Sequence, residues 1–183
     1  MPIPVIHVGC GKFSLQRLQV LIDGSQFTPV ACVDIDLEKA RSELASLKGN
    51  VPEGLKDRVY ATISEAKEKH DAEACFIFAV ANAHSKLVIE SLELGMHTFC
   101  VKVIACNQEE FKDVMMVHHR NPELMLVQGY NNQWNEAAVK MREWLQSDNG
   151  IGEMLGGSCI CWGRQNMKSN PPQTDITTEG MFF

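Results

Sequence analysis

The sequence predicts an α/β fold built around a doubly wound parallel sheet. Short apolar runs alternate with segments of helical periodicity, and one run, residues 74–80, is almost continuously apolar. Continuous apolar strands are typical of parallel sheets that helices cover on both faces. The alternation of strand and helix repeats several times along the chain, as it does in doubly wound folds.

The composition is that of an ordinary globular protein. Hydrophobic residues make up 45% and charged residues 22% of the 183 residues, so the chain can bury a core. The net charge is -6 and no Lys/Arg cluster exceeds two residues, which disfavours a nucleic-acid partner. No apolar run approaches the roughly 20 residues needed to span a bilayer, and the start lacks a signal peptide. We therefore expect no membrane partner and a cytoplasmic location.

Two domains are expected, of which the second is incomplete. The first would span residues 1–128, with strands at residues 4–8, 30–33, 59–60, 74–80, 97–101 and 124–128. Helices are expected at residues 14–23, 37–47 and 84–94. A short helix is expected after the capping pair Thr62 and Glu65, and another, to about residue 118, after the capping pair Asn107 and Glu110. A helix at residues 134–145 and a long strand at residues 153–162 follow. We interpret residues 129–183 as the truncated start of an α+β second domain.

A glycine-rich turn joins the first strand to the first helix, with the sequence Gly9-Cys10-Gly11-Lys12-Phe13-Ser14. In such turns the first glycine permits the tight bend and the second lets the backbone approach a pyrophosphate, which the helix N-terminus then binds. Ser14 stands where a third glycine is usual, and it is small enough for helix–strand packing. The order of strand, turn and helix predicts a Rossmann-type dinucleotide site formed by residues 9–13.

An acidic residue follows the second strand, about 20 residues beyond the glycine turn, as the dinucleotide fingerprint requires. Asp34 would accept hydrogen bonds from the ribose hydroxyls and repel a 2′-phosphate, so NAD is expected as cofactor rather than NADP. Asp36 is a second candidate for this role. Glycine turns of this kind also bind S-adenosylmethionine, which is the alternative ligand.

The seven cysteines do not suggest a disulfide framework or a metal centre. Six of them lie in or beside apolar runs, which is typical of buried, reduced thiols. Cys159 and Cys161 form a single Cys-x-Cys pair without a second pair, which is weak support for zinc. We predict no metal site.

Several further segments together resemble one enzyme family. They are Asn82-Ala83-His84, the stretch from Ser91 to Ala105, Gln128-Gly129-Tyr130-Asn131-Asn132, and Asn149-Gly150-Ile151-Gly152-Glu153. In this order they resemble the Gfo/Idh/MocA oxidoreductases, the family of glucose–fructose oxidoreductase and inositol dehydrogenase. The resemblance implies NAD(P)-dependent hydride transfer involving a sugar, polyol or related hydroxy compound.

The resemblance also implies roles for individual residues. Lys102 matches the family's lysine beside the nicotinamide, which helps to handle the proton of the substrate hydroxyl. Asn82 and His84 match the loop that borders the cofactor. The sequence departs from the family at three positions, with Val101 for Glu, Val103 for Pro and Gln133 for Arg. Because a non-proline cis bond costs about 2.5–4 kcal/mol, we expect the loop around Lys102 to be rebuilt.

The last residues of the sequence lead to two further expectations, about the catalytic residues and about the length of the protein. Residues 178–183 resemble the opening of the family segment that supplies a catalytic Asp and His, so we expect this chain to lack both. A small sheet is marginal alone, so we expect a fragment of a protein about twice as long, homo-oligomeric in its full form. The alternative is a non-catalytic dinucleotide-binding regulator of the same fold, which Val101 and Val103 favour.

Overall fold

The computed structural model describes residues 1–147, and their first 129 residues form one compact unit. Strands and helices alternate along this unit. The strands are β1 (Ile3–Val8), β2 (Phe27–Val33), β3 (Val59–Tyr60), β4 (Ala74–Ile77), β5 (His97–Val101) and β6 (Leu126–Gly129). The helices are α1 (Lys12–Asp23), α2 (Leu37–Leu44), α3 (Ile63–Lys69), α4 (Ala81–Glu93) and α5 (Gln108–Arg120).

The six strands form one sheet in the order β3-β2-β1-β4-β5-β6, and every neighbouring pair is parallel. The chain moves outward from β1 to β3 and then crosses back to β4 on the other side of β1. This is the strand order of a Rossmann fold, with its topological switch point between β1 and β4. The predicted doubly wound parallel sheet is confirmed.

Helices cover the sheet in two layers. On one face, α3, α4 and α5 pack over a core that includes Ile6, Ile77 and Leu92. On the other face, α1 and α2 enclose a second core that includes Leu18 and Leu44. Each parallel crossover needs a helix on one face of the sheet, and the two cores show that this chain uses both faces.

Some predicted boundaries are wrong, most clearly at the end of β4. The strand stops at Ile77, whereas the apolar run continues through Phe78 to Val80. Phe78 still donates from its backbone N–H to Val8 O at 2.8 Å, but the chain then turns into α4, which begins three residues earlier than expected. An apolar run does not distinguish a buried strand from the apolar turn that follows it.

Other boundaries shift for local reasons. β2 begins at Phe27, earlier than predicted, and β6 begins at Leu126, later than predicted. Helix α2 ends at Leu44, and Leu47 is buried from the turn beyond it. The predicted caps are correct, because Thr62 and Asn107 accept hydrogen bonds from Glu65 N and Glu110 N.

Residues 130–147 are described as a separate unit. A 3-10 helix, Asn131–Trp134, precedes α6 (Glu136–Gln146), and Asn135 caps α6 by accepting from Ala137 N at 3.0 Å. The Arg142 guanidinium lies 5.9 Å from the centroid of the Trp134 ring. The predicted strand at residues 153–162 and the Cys159–Cys161 pair lie outside the described residues.

No helix within residues 1–147 is long and apolar enough to cross a membrane. In the same part of the chain, no three His, Cys, Asp or Glu side chains come together as ligands for a metal ion.

Replacement of Leu18 by Ala tests the α1 side of the core. Leu18 is 0% exposed, whereas Val20 on the same helix is 63% exposed. We expect Leu18→Ala to lower the free energy of unfolding by about 2–5 kcal/mol, because it leaves a cavity. Val20→Ala is the control and should stay within about 0.5 kcal/mol of the parent in urea denaturation. Equal effects of the two substitutions would contradict this packing.

Candidate functional site

The carboxyl ends of the strands define the edge at which a ligand can bind. β1 lies between β2 and β4, so the loops that follow these three strands meet at one place. In open α/β sheets, ligands bind in the crevice outside the carboxyl ends of the strands, at the switch point. The glycine turn, Asp34 and the start of α4 all lie at this edge.

Gly9 is required by the protein's own backbone. Its φ is +92°, and a Cβ atom there would lie 2.7 Å from Phe78 O, the carbonyl that follows β4. The Gly9 N–H donates to Val33 O at 2.8 Å, so the turn is also fixed to the end of β2. Any side chain at position 9 would collide with main-chain atoms that cannot move aside.

Gly11 has no such internal requirement. Its φ is −70°, which any residue adopts, and a Cβ atom there would meet nothing within 4 Å. The residue is exposed and forms the N-cap of α1. A glycine at an open position leaves space for something outside the chain to approach the backbone closely.

The two helices that begin beside the switch point differ from the others in their caps. Neither α1 nor α4 has a side-chain cap, since Gly11 and Val80 occupy the N-cap positions. The remaining helices, α2, α3, α5 and α6, are capped by the side chains of Asp36, Thr62, Asn107 and Asn135. Uncapped N-termini keep N–H donors available for an anion. Neither α1 nor α4 has an acidic residue in its first turn.

Asp34 connects the end of β2 to the glycine turn. Its Oδ2 accepts from Cys10 N at 2.7 Å and its Oδ1 from Asp36 N at 3.0 Å. Each carboxylate oxygen can accept more than one hydrogen bond, so capacity remains for a ligand hydroxyl. Asp36 uses its own side chain to accept from Lys39 N and cap α2. The structure thus assigns Asp36 a capping role and leaves Asp34 beside the turn.

The other predicted residues of the turn contribute in different ways. The Cys10 side chain is buried, and its backbone N–H is the donor to Asp34. Lys12 and Phe13 are exposed in the first turn of α1, and the Arg17 guanidinium lies 4.7 Å from the centroid of the Phe13 ring. Ile35, which the sequence analysis did not select, is 96% exposed directly after Asp34. The signal that could have identified Ile35 is an apolar residue directly after the acidic residue that ends the second strand.

A buried polar pair stands where the third glycine is usual. The Ser14 hydroxyl donates to Gly9 O, so it accepts from His7 Nε2, 2.7 Å away. Burial lowers the pKa of His7 to about 3, which keeps the ring neutral. Ser14 thus ties α1 and β1 to the glycine turn. From the sequence, Ser14 was predicted only to be small enough for helix–strand packing. Its hydrogen bond with His7 was not predictable, because it depends on tertiary packing.

His84 links two loops at the carboxyl ends of the strands from inside the fold. Its ring is 1% exposed, with Nε2 at 2.9 Å from Ala79 O and Nδ1 at 2.5 Å from Val103 O. Through these two contacts, His84 joins the loop after β4 to the loop after β5. Asn82, two residues earlier, is exposed in the first turn of α4.

Lys102 directly follows β5 and is exposed. It lies outside the sheet because β5 ends at Val101. The peptide bond from Lys102 to Val103 is cis although residue 103 is not proline. The expectation that loss of the proline rebuilds this loop is wrong.

Most of the cysteines within residues 1–147 are buried thiols. Cys10, Cys32, Cys75 and Cys100 are free and buried, as predicted. Burial raises the pKa of the Cys75 and Cys100 thiols to about 12, so both stay protonated.

Comparison with known proteins connects this geometry to a family. The family model described as "Oxidoreductase family, NAD-binding Rossmann fold", Gfo/Idh/MocA, matches residues 3–128. The chain belongs to the Gfo/Idh/MocA oxidoreductase family. The resemblance inferred from the sequence is therefore confirmed, and with it the membership of an NAD-binding family.

Individual relatives are distant in sequence. Inositol 2-dehydrogenase 3 of Saccharopolyspora erythraea is 23% identical over 150 residues, which cover 82% of this chain and 41% of that protein. The myo-inositol dehydrogenase of Lactobacillus casei, solved with NAD(H) and myo-inositol, has a TM-score of 0.70 at 20% identity. That match covers 78% of this chain and 41% of the L. casei chain. A structure described as a putative NADPH-dependent oxidoreductase from Desulfitobacterium hafniense has a TM-score of 0.66 at 16% identity, covering 79% and 39%. The chain thus spans about 41% of the length of the curated relative.

The two glycines of the turn allow a matched test. We expect Gly9→Ala to lower both the free energy of unfolding and NADH binding, because its Cβ would lie 2.7 Å from Phe78 O. Gly11→Ala meets no atom within 4 Å, so the fold should keep its stability while NADH binding weakens at least about tenfold. Urea denaturation and calorimetric titration with NADH separate the two effects. Unchanged NADH affinity in Gly11→Ala would show that the backbone at residue 11 does not approach the cofactor.

Proposed function

We propose that the protein is an NAD-dependent oxidoreductase that transfers hydride between the nicotinamide and a sugar, polyol or related hydroxy compound. The observation that carries the proposal is the pair of uncapped helix N-termini, α1 and α4, on either side of the switch point. Their N–H groups supply donors for a pyrophosphate, and Gly11 leaves the space for it. The family match over residues 3–128 supports the same cofactor class.

NAD fits the ribose end of this site better than NADP does. Asp34 presents a carboxylate, which accepts from a free 2′-hydroxyl and repels a 2′-phosphate. Arg41 lies a helical turn and more beyond the strand end, in α2, so no arginine follows Asp34 directly to neutralise it. The exposed Ile35 beside Asp34 offers an apolar surface for the adenine.

The substrate class comes from the relatives. One curated relative is an inositol dehydrogenase, and one solved neighbour holds myo-inositol together with NAD(H). NAD, when bound, would supply the hydride chemistry, and the protein would position the reactants and handle the hydroxyl proton. We assign the proton handling to Lys102, which follows β5 at the carboxyl edge. His84 contacts the carbonyl of Val103, the residue after Lys102, and that of Ala79 in the loop after β4.

The domain division belongs to the same proposal. Residues 1–128 would bind the dinucleotide, and residues from 129 onward would begin a domain for substrate binding and oligomerisation. The chain spans only 41% of its curated relative, so substrate turnover is proposed for the natural full-length protein.

A regulatory, non-catalytic dinucleotide-binding protein is the second candidate. The specific observation in its favour is that Val101 and Val103 flank Lys102 in place of the family's Glu and Pro. Turnover with a panel of polyols distinguishes the two candidates, since both predict cofactor binding.

Charge at residue 34 should set the cofactor preference. We expect the parent to bind NADH more tightly than NADPH. Asp34→Asn should lower the ratio of NADH affinity to NADPH affinity at least about fivefold, because the amide cannot repel a 2′-phosphate. Calorimetric titration with both cofactors measures the ratio. Asp36→Asn is the control, since Asp36 caps α2, and it should leave the ratio unchanged. A parent that prefers NADPH would overturn the assignment of Asp34.

Lys102 should matter for turnover more than for cofactor binding. In the full-length protein, we expect Lys102→Ala to lower kcat by about 10²–10⁴-fold, the usual contribution of a general acid or base. NADH affinity should stay within several-fold, because the effect concerns the reacting centre. Lys86→Ala, an exposed lysine on α4, is the matched control. Unchanged turnover in Lys102→Ala would contradict a role of Lys102 in proton handling, whereas a parent without turnover would favour the regulatory candidate.

A further inference from the structure

His84 is a buried polar side chain to which the proposed chemistry gives no task. It lies in the first turn of α4 and is 1% exposed. Its Nε2 lies 2.9 Å from Ala79 O, and its Nδ1 lies 2.5 Å from Val103 O. Carbonyl oxygens only accept hydrogen bonds, so the imidazole ring is the donor in this link. A ring enclosed in this way acts through the backbone groups that it holds.

Val103 belongs to the short loop between the end of β5 and the start of α5. The far part of this loop is held by another group, since Cys106 N donates to Glu110 Oε2 at 2.9 Å. The near part carries Lys102, which directly follows β5. The contact with His84 is made at Val103, the next residue of the chain. We therefore expect a change at His84 to displace the part of the loop that carries Lys102.

The other partner of His84 belongs to a part of the chain that is fixed at the glycine turn. Ala79 follows Phe78, whose N–H donates to Val8 O at 2.8 Å. The carbonyl of Phe78 occupies the space that a side chain would need at Gly9. The same loop leads into the uncapped N-terminus of α4. His84 therefore connects the loop after β5 to the backbone of the proposed dinucleotide site.

We propose that His84 is a positioning residue for Lys102. By holding the loop after β5 against the loop after β4, it sets where the Lys102 side chain begins relative to the dinucleotide site. This inference rests on the proposed function, in which Lys102 handles the hydroxyl proton. A misplacement of about 1 Å at a reacting group lowers a rate by as much as about 10²-fold. The simpler alternative is that the ring only stabilises the fold.

Two substitutions of His84 separate the donor from the volume of the ring. His84→Leu keeps a buried side chain but leaves both carbonyls without a donor, whereas His84→Gln keeps an N–H donor. In the full-length protein, with myo-inositol and NAD as substrates, we expect His84→Leu to lower kcat about 10–10²-fold. His84→Gln should stay within several-fold of the parent kcat, and both variants should bind NADH within several-fold of the parent.

Ser91→Ala is the matched control for loss of a buried hydrogen bond. Ser91 lies on the same helix, is fully buried and contacts the Thr98 hydroxyl at 2.7 Å. Its replacement should lower the free energy of unfolding and leave kcat at the parent value.

A double-mutant cycle with Lys102→Ala tests whether His84 acts through Lys102. If it does, His84→Leu should lower kcat by less than about threefold in a chain that already lacks the lysine, because the positioned group is gone. A residue that only stabilises the fold would lower kcat by the same factor in both backgrounds. An undiminished loss in the Lys102→Ala background would therefore overturn the proposal, and so would a parent-like kcat in His84→Leu.

Hydrogen exchange of the backbone amides gives a readout that does not need turnover. In the cofactor-free full-length protein, we expect His84→Leu to speed the exchange of residues 102–105 at least about tenfold, with the loop after β2 unchanged. Ser91→Ala should not change the exchange of residues 102–105. If His84→Leu fails to fold, His84→Asn takes its place, because its shorter amide cannot reach both carbonyls.

The two readouts keep the failures apart. A parent that does not turn over myo-inositol would contradict the proposed activity toward this polyol and would leave the exchange measurement in force. Unchanged exchange of residues 102–105 in the His84 variant would overturn the positioning role, whatever the turnover of the parent.

Discussion

The close contact between the ends of β1 and β4 is the constraint on which the site depends. Position 9 accepts only glycine because the carbonyl of Phe78 occupies the space of a side chain. The turn after β1 and the turn after β4 therefore lie together, and two helices begin at one edge of the sheet. Asp34 reaches Cys10 N because the Gly9 N–H is held by the last residue of β2.

Aromatic rings connect β1, the turn after β4 and β5 across the sheet. His7 stacks on Phe78 with ring centroids 5.0 Å apart, and Phe78 contacts Phe99 of β5 at 5.8 Å. A Cβ atom at Gly129 of β6 would lie 2.7 Å from Phe99 Cζ, so the next strand also fits closely against this ring. Rigid rings in contact leave few alternative packings. These contacts connect β1 and the turn after β4 to the middle of β5, three residues before Lys102.

The strands and helix caps were predictable from the sequence, because they depend on local chemistry. The six strands follow from apolar runs, and the caps Thr62 and Asn107 follow from side chains that bond to backbone groups three residues away. Features that depend on distant partners were not accessible in this way. The bonds of His84 to Ala79 and Val103 span the loops of two strands, and nothing near His84 in the sequence specifies them.

The pairing of His7 with Ser14 has a consequence for how this turn can change during evolution. Glycine at position 14 would leave the fully buried His7 Nε2 without its partner, at a cost of about 1–3 kcal/mol. An apolar residue at position 7 would in turn leave the Ser14 hydroxyl with Gly9 O alone. We therefore expect positions 7 and 14 to vary together, because glycine at position 14 is compatible with an apolar residue at position 7 but not with a buried histidine.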